Sequence, residues 1–195
     1  MKNILFPTDF SENSKTAYAY ALDIALLFKA KLIILNTYKL PYSKSNVMVS
    51  MTDIMKQDSE KELEALKNKA LNNPKYKELE IELEIVSGSF VSSIPKLAKH
   101  CNADLIVMGT KGASSLKEML IGSNTLEVIQ TTHCPILAIP ENASNKKIDK
   151  IAMAVDLKKV NNPEQLKPLL AMANICQASI EFVHVMHPQL SLIHI

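Results

Sequence analysis

Short runs rich in Ile, Leu and Val recur along the chain at Asn3 to Thr8, Lys31 to Tyr38, Glu80 to Ser87, Ala103 to Met108 and Pro135 to Pro140. Runs of this length bounded by turn residues predict five strands. Between them apolar residues return every three or four positions, the period of an amphipathic helix. Ala17, Ala21, Ile24, Ala25 and Phe28 form the first such stripe, with Ser11 as N-cap. A second pattern spans Asp53 to Leu71 and keeps Glu60, Lys61, Glu62, Glu64 and Lys67 on its wet side. The third, Val91 to Lys99, carries Val91, Ile94, Leu97 and Ala98, and a fourth runs from Ser123 to Thr132.

Strand alternating with helix predicts an α/β fold: a five-stranded parallel sheet with helices on both faces, because parallel neighbours need right-handed crossovers. Leu32 to Leu35 and Leu105 to Met108 are apolar on both sides, as strands covered on two faces are. Glu80, Glu82 and Glu84 alternate with Ile81, Leu83 and Ile85, which suits a half-exposed edge. The order expected is 3-2-1-4-5, a doubly wound, Rossmann-like arrangement whose chain reverses direction across the sheet between the first and fourth strands.

After Pro140 the composition turns polar over residues 141–147, a linker pattern, and then the opening returns. Ile4 to Phe10 aligns with Ile151 to Leu157, and Ala30 to Thr37 aligns with Ala178 to Val185. Two matches in the same order, each pair separated by a helical stretch, predict an internal repeat. The expected organisation is therefore a domain over 1–140, a linker over 141–147 and an incomplete second copy over 148–195. The closing stretch from Leu190 to Ile195 fits no expected element.

At 195 residues, 47% hydrophobic and 22% charged, the chain has the composition of a folded globular protein. Its 22 basic and 20 acidic residues leave a net charge of +2, with no basic stripe for nucleic acid. No apolar run reaches the ~20 residues that span a bilayer, and the N-terminus lacks a signal-peptide core, so no membrane partner and a cytoplasmic location are expected. Cys101, Cys134 and Cys176 stand far apart and read as small buried hydrophobes. His100, His133, His184, His187 and His194 have no metal-ligand spacing. The helix-face carboxylates, such as Glu118, pair with nearby lysines, so neither a catalytic residue nor a metal site is expected.

The chemistry concentrates in Gly109 to Thr125. Four glycines make up about 2% of the chain against a usual ~7%, and Gly109, Gly112 and Gly122 all fall in this segment. Glycine lets backbone amides approach an anion closely. A helix starting near Ser123 adds its unpaired amides and the donors of Ser123, Asn124 and Thr125. Asp9, after the first strand, is placed either to accept from ribose hydroxyls and help hold a metal, or to cap the first helix. Lys111 stands either at a phosphate or in solvent. No G-x-x-x-x-G-K-[ST] sequence is present.

The opening Pro7-Thr8-Asp9-Phe10-Ser11, the G-x2-G-x9-G-S spacing of Gly109, Gly112, Gly122 and Ser123, Gly88 followed by Ile94 and Ala98, and the ending Cys134 to Pro140 resemble the ATP-binding branch of the universal stress proteins. The resemblance covers roughly residues 1–140 and is specific because two fixed gaps lie between a strand and a helix. It implies an ATP cofactor, with Mg²⁺ as a possible companion. Asp9 would lie at the ribose, with Pro7 and Thr8 also in the cofactor site, the Thr37 backbone at adenine and Met108 beside the base. Gly109, Gly112, Gly122, Ser123, Asn124 and Thr125 would hold the phosphates, with Lys111 also in the cofactor site. Asn36-Thr37 replaces the family's His-Val, which His184-Val185 keeps. The implied function is an adenine-nucleotide-responsive stress switch with little or no hydrolysis. Its alternatives are a slow ATPase or nucleotidyl-transfer enzyme, and a scaffold that binds no nucleotide. Pairing of two copies, or of tandem halves, is implied through Ile136 to Ile139.

Overall fold

The computed structural model describes residues 1–38, 47–111, 121–144, 148–155 and 163–184, with backbone alone for 47–51. The chain divides into two compact units, Met1–Asn145 and Lys146–Ile195. In the first unit the order is β1 (Asn3–Thr8), α1 (Glu12–Phe28), β2 (Lys31–Tyr38), α2 (Val47–Leu71), β3 (Ile81–Ser87), α3 (Phe90–His100), β4 (Leu105–Gly109), α4 (Ser123–Thr131) and β5 (Ile136–Ile139). The five strands form one parallel sheet in the order β3-β2-β1-β4-β5, as the sequence predicts.

Alternate strand residues serve opposite layers. Leu5, Ile33, Leu35, Ile106 and Met108 pack with Ile94 and Ala98 of α3 and Val128 of α4. On the other face Phe6 stacks on Tyr18 of α1, ring centroids 5.2 Å apart. Helix α1 presents Ala17, Ala21 and Ala25, all fully buried, so its backbone comes close to the sheet. Each buried Leu, Ile or Phe side chain stabilises the unit by about 1.5–3 kcal/mol. The Tyr18 hydroxyl donates to the carbonyl of Leu66, tying α1 to α2 at 3.1 Å. Burial, reinforced by Tyr76, pushes that phenol well above its usual range, so it stays a donor.

Boundaries move where tertiary hydrogen bonds outrank local pattern. Helix α2 begins at Val47, ahead of the expected Asp53. Strand β4 starts at Leu105 because Ala103 still belongs to the end of α3. Its amide donates to the Ala98 carbonyl at 2.8 Å, past Asn102 in the left-handed region at φ 48°. Asp104 then accepts from the amides of Lys2 and Asn3, which sets β4 beside β1. The edge strand β3 is half-buried beyond Ile81, and Lys31 of β2 reaches Glu82 at 2.6 Å. Cys134 precedes β5 rather than opening it, and burial, then Asp104 and Cys101, push its thiol up to about 12.

The second unit holds β6 (Lys150–Ala154), a short 3-10 turn at Pro163–Leu166, α5 (Lys167–Cys176) and β7 (Ser179–Val183), with β6 and β7 parallel. Its local geometry repeats that of β1-α1-β2. Ile151 pairs with Ile180 as Ile4 pairs with Leu32. Helix α5 ends on Gln177 at φ 54°, and α1 ends on Lys29 at φ 51°. In both, the next amide turns back to the carbonyl five residues earlier, Ala178 to Ala173 at 2.8 Å and Ala30 to Ala25 at 2.9 Å. The strands differ in cover: β1 is buried along nearly its whole length, whereas Phe182 of β7 is 72% exposed.

Lys29 occupies a backbone region that costs a residue with a Cβ about 1 kcal/mol. Lys29→Gly is expected to stabilise the fold by up to about that amount, net of glycine's greater unfolded-state entropy. An increased urea midpoint at unchanged slope would show it.

Candidate functional site

Helix α1 after β1 and helix α4 after β4 pack on opposite faces of the sheet, so a crevice opens between them at the carboxyl ends of the strands. It has a volume of about 310 Å³ and collects residues from six elements, β1, α1, β2, α3, β4 and α4. Pro7, Thr8, Asp9 and Ser14 come from the end of β1 and the start of α1, and Thr37 from β2. Met108, Gly109 and Lys111 follow from β4, and Asn124 and Thr125 from the first turn of α4. Of the residues singled out in the sequence, Gly122 and Ser123 do not line it, and Gly112 lies outside the described residues.

Gly122 has a different task. It is buried as the N-cap of α4, and its amide donates to the Thr110 carbonyl at 2.7 Å. That bond returns the chain to the end of β4 before the helix starts. The first ladder bond of α4 is Leu126 to the Gly122 carbonyl at 3.0 Å. The amides of Ser123, Asn124 and Thr125 therefore precede the helix ladder, at the positive end of its dipole. Thr125 fixes this turn to the strand, its hydroxyl donating to the Gly109 carbonyl at 3.0 Å.

The turn after β1 is tied to itself. The Thr8 hydroxyl accepts from the Phe10 amide at 3.0 Å and meets the Ser14 hydroxyl at 2.7 Å. These bonds hold Phe10 at φ 61°, a conformation that bulky residues seldom adopt. Ser11 is the N-cap of α1, accepting from the Ser14 amide at 3.3 Å, as expected. Asp9 does not cap the helix itself. One of its carboxylate oxygens accepts from the Ser11 amide at 3.1 Å, and the side chain remains exposed at the crevice.

Between β1 and β2 a buried bridge sets the width of the mouth. Asn36 donates from Nδ2 to the Thr8 carbonyl at 2.8 Å, and its Oδ1 accepts from Ser59 of α2 at 2.9 Å. In the second unit His184 aligns with Asn36, and its Nδ1 lies 2.8 Å from the Val155 carbonyl, the counterpart of Thr8.

Sequence reasoning missed Ser14 and the wall formed by Ser89, Phe90 and Val91. Val91 reads along the chain as one more apolar position of a core helix. The signal available was Gly88, whose φ of 142° turns the chain after β3 toward the crevice while its amide donates to the Tyr38 carbonyl at 2.8 Å. The result is a site with an apolar wall of Pro7, Phe90, Val91 and Met108, hydroxyls and a carboxylate at one side, and Lys111 with a helix N-terminus at the other. Such a lining suits a ligand with a flat apolar part and an anionic part.

The sheet order and a crevice over its switch point define a doubly wound, Rossmann-like α/β protein. The chain belongs to the universal stress protein family, whose model matches residues 1–140. It is 31% identical over 158 residues to a universal stress protein of Methanocaldococcus jannaschii, covering 73% of this chain and 97% of that one. The solved structure of that relative superposes with a TM-score of 0.65 at 28% identity, over 73% and 98% of the two chains. A universal stress protein solved in complex with cAMP matches with a TM-score of 0.50 at 25% identity, over 72% and 98%. A universal stress protein of Archaeoglobus fulgidus shares the fold over 95% of this chain and 68% of its own, with a TM-score of 0.72 at 24% identity.

Replacing Asn36 with Leu removes the side-chain bond to the Thr8 carbonyl and takes the Oδ1 acceptor from the Ser59 hydroxyl, at a cost of about 1–3 kcal/mol in unfolding free energy. Asn36→His restores the bond to Thr8 and is expected to cost less. Urea denaturation of both variants checks the order.

Proposed function

We propose that the crevice binds an adenine nucleotide, ATP in the first instance, and that the protein acts as a nucleotide-responsive stress switch with little or no hydrolysis. The observation that carries this reading is the convergence, at the switch point, of an apolar wall with the amide end of α4 and Lys111. The base would lie against Phe90, Val91 and Met108, near the Thr37 backbone. Asp9 would take the ribose hydroxyls, and the α4 first turn with Lys111 would take the phosphates, where Mg²⁺ could accompany them. The cAMP-bound relative supports a nucleotide of this class.

The reading favours binding over turnover for a structural reason. Asp9 is the single carboxylate among the described lining residues, and one of its oxygens is already engaged by the Ser11 amide. A base for activating water needs a placed and available carboxylate or imidazole. We further read 148–195 as a second copy of the opening βαβ unit joined through 141–147, supported by the shared strand register and helix cap. The short, half-buried β5 at the sheet edge, Ile136–Ile139, is the strand through which two copies or two halves would pair, in a cytoplasmic protein.

Calorimetry on the full chain tests the assignment. ATP is expected to bind, with Phe90→Ala and Lys111→Ala each weakening it about five- to tenfold. ADP release over hours should stay negligible. Absence of ATP binding would favour the scaffold, and rapid ADP release the enzyme.

A further inference from the structure

The second residue of α1 is an asparagine buried to 5% exposure, Asn13, on a helix whose other sheet-facing positions are mostly alanine and aliphatic. It does not line the crevice. Its Nδ2 donates to the Lys111 carbonyl at 3.0 Å, 98 residues along the chain. Its Oδ1 is fully buried and has no hydrogen-bond partner among the described residues. An unpartnered buried acceptor is costly, and an aliphatic side chain would fill this place without that cost. The bond to Lys111 is therefore the feature that distinguishes asparagine here.

The same amide explains the glycine at the end of β4. A Cβ built on Gly109 would lie 3.0 Å from both Cγ and Nδ2 of Asn13 and 3.2 Å from its Oδ1. Three such distances place the amide against the Gly109 Cα, with room for no side chain between them. On α4 the Thr125 hydroxyl holds the Gly109 carbonyl at 3.0 Å. Residues 109–111 are thus gripped by α1 through Asn13 and by α4 through Thr125, and these three residues carry the chain into the glycine-bearing loop.

We infer that Asn13 is a positioning residue for the phosphate side of the site. It sets the course of Gly109 to Lys111 without touching the ligand, an assignment that rests on the nucleotide reading above. Gly109 is then required by the close approach of Asn13, in addition to any approach of a phosphate. A ligand with a longer phosphate chain should depend on this grip more than one with a single phosphate.

Asn13→Leu keeps the bulk of the side chain and removes the donor. Calorimetry on the full chain is expected to show ATP binding weakened about tenfold and AMP binding changed less than about threefold. A residue that only stabilised the fold would shift both alike, so equal losses, or none, would overturn the assignment. Gly109→Ala is expected to lower the melting temperature, and Asn13→Ala in the same chain to recover at least half of the loss. No recovery would mean that the close approach is not what demands glycine, and would also overturn it. If the unaltered chain binds neither ATP nor AMP, the nucleotide reading fails and the assignment with it. If it binds and the variants behave alike, the assignment alone fails.

Discussion

Everything in the first unit hangs on β1 being enclosed. It has β2 on one edge, β4 on the other and helices over both faces, and Ile4 to Thr8 are buried without a break. A strand so placed must be apolar on both sides, and it must satisfy every backbone group through its neighbours. Because its two neighbours lead their helices to opposite faces, the chain separates above its carboxyl end. The crevice follows from that enclosure and is no separate invention of the loops.

What the enclosure leaves open, side-chain hydrogen bonds close. Ser59, Asn36, Thr8 and Ser14 form a connected line from α2 through β2 and β1 to α1. On the β4 side Asn13 of α1 bonds to the Lys111 carbonyl and Thr125 of α4 to the Gly109 carbonyl, a second set of ties between α1, the end of β4 and α4. Both run from buried residues into the crevice lining, where low dielectric strengthens each bond and penalises each missing one. The site is thereby held by Ser59, Asn36 and Asn13, which do not line the crevice, through Thr8, Ser14, Gly109 and Thr125, which do. Its apolar wall comes from the start of α3, placed by the turn at Gly88.

The second unit clarifies which parts of this design are local. Strand register, the left-handed helix cap and the side-chain bond from the second strand to the first recur there. These depend on contacts within one βαβ unit. Burial of the strands does not recur, since Phe182 and Val183 are exposed where Ile34 and Leu35 are enclosed.

The sequence by itself determined the sheet. Apolar runs on two faces, the helical periods between them and the right-handed crossover leave few arrangements, and Leu32 to Leu35 could only be a covered strand. It also marked Asp9, by its place after the first strand at the switch point, and Gly109 with Asn124 and Thr125, because a scarcity of glycine elsewhere made one cluster conspicuous. Tertiary structure alone decided what each residue does. Gly122 turned out to brace the end of β4 through Thr110, Gly109 to make room for Asn13, and Asp9 to hold the turn that Ser11 caps. Val91 and Ser14 entered the crevice although their local pattern reads as helix. The physical reason is that periodicity records which way a side chain faces within its own element, whereas partners 98 residues apart, such as Asn13 and Lys111, are set by how elements pack. Burial is therefore legible in a sequence, and hydrogen-bond pairing between distant elements is not.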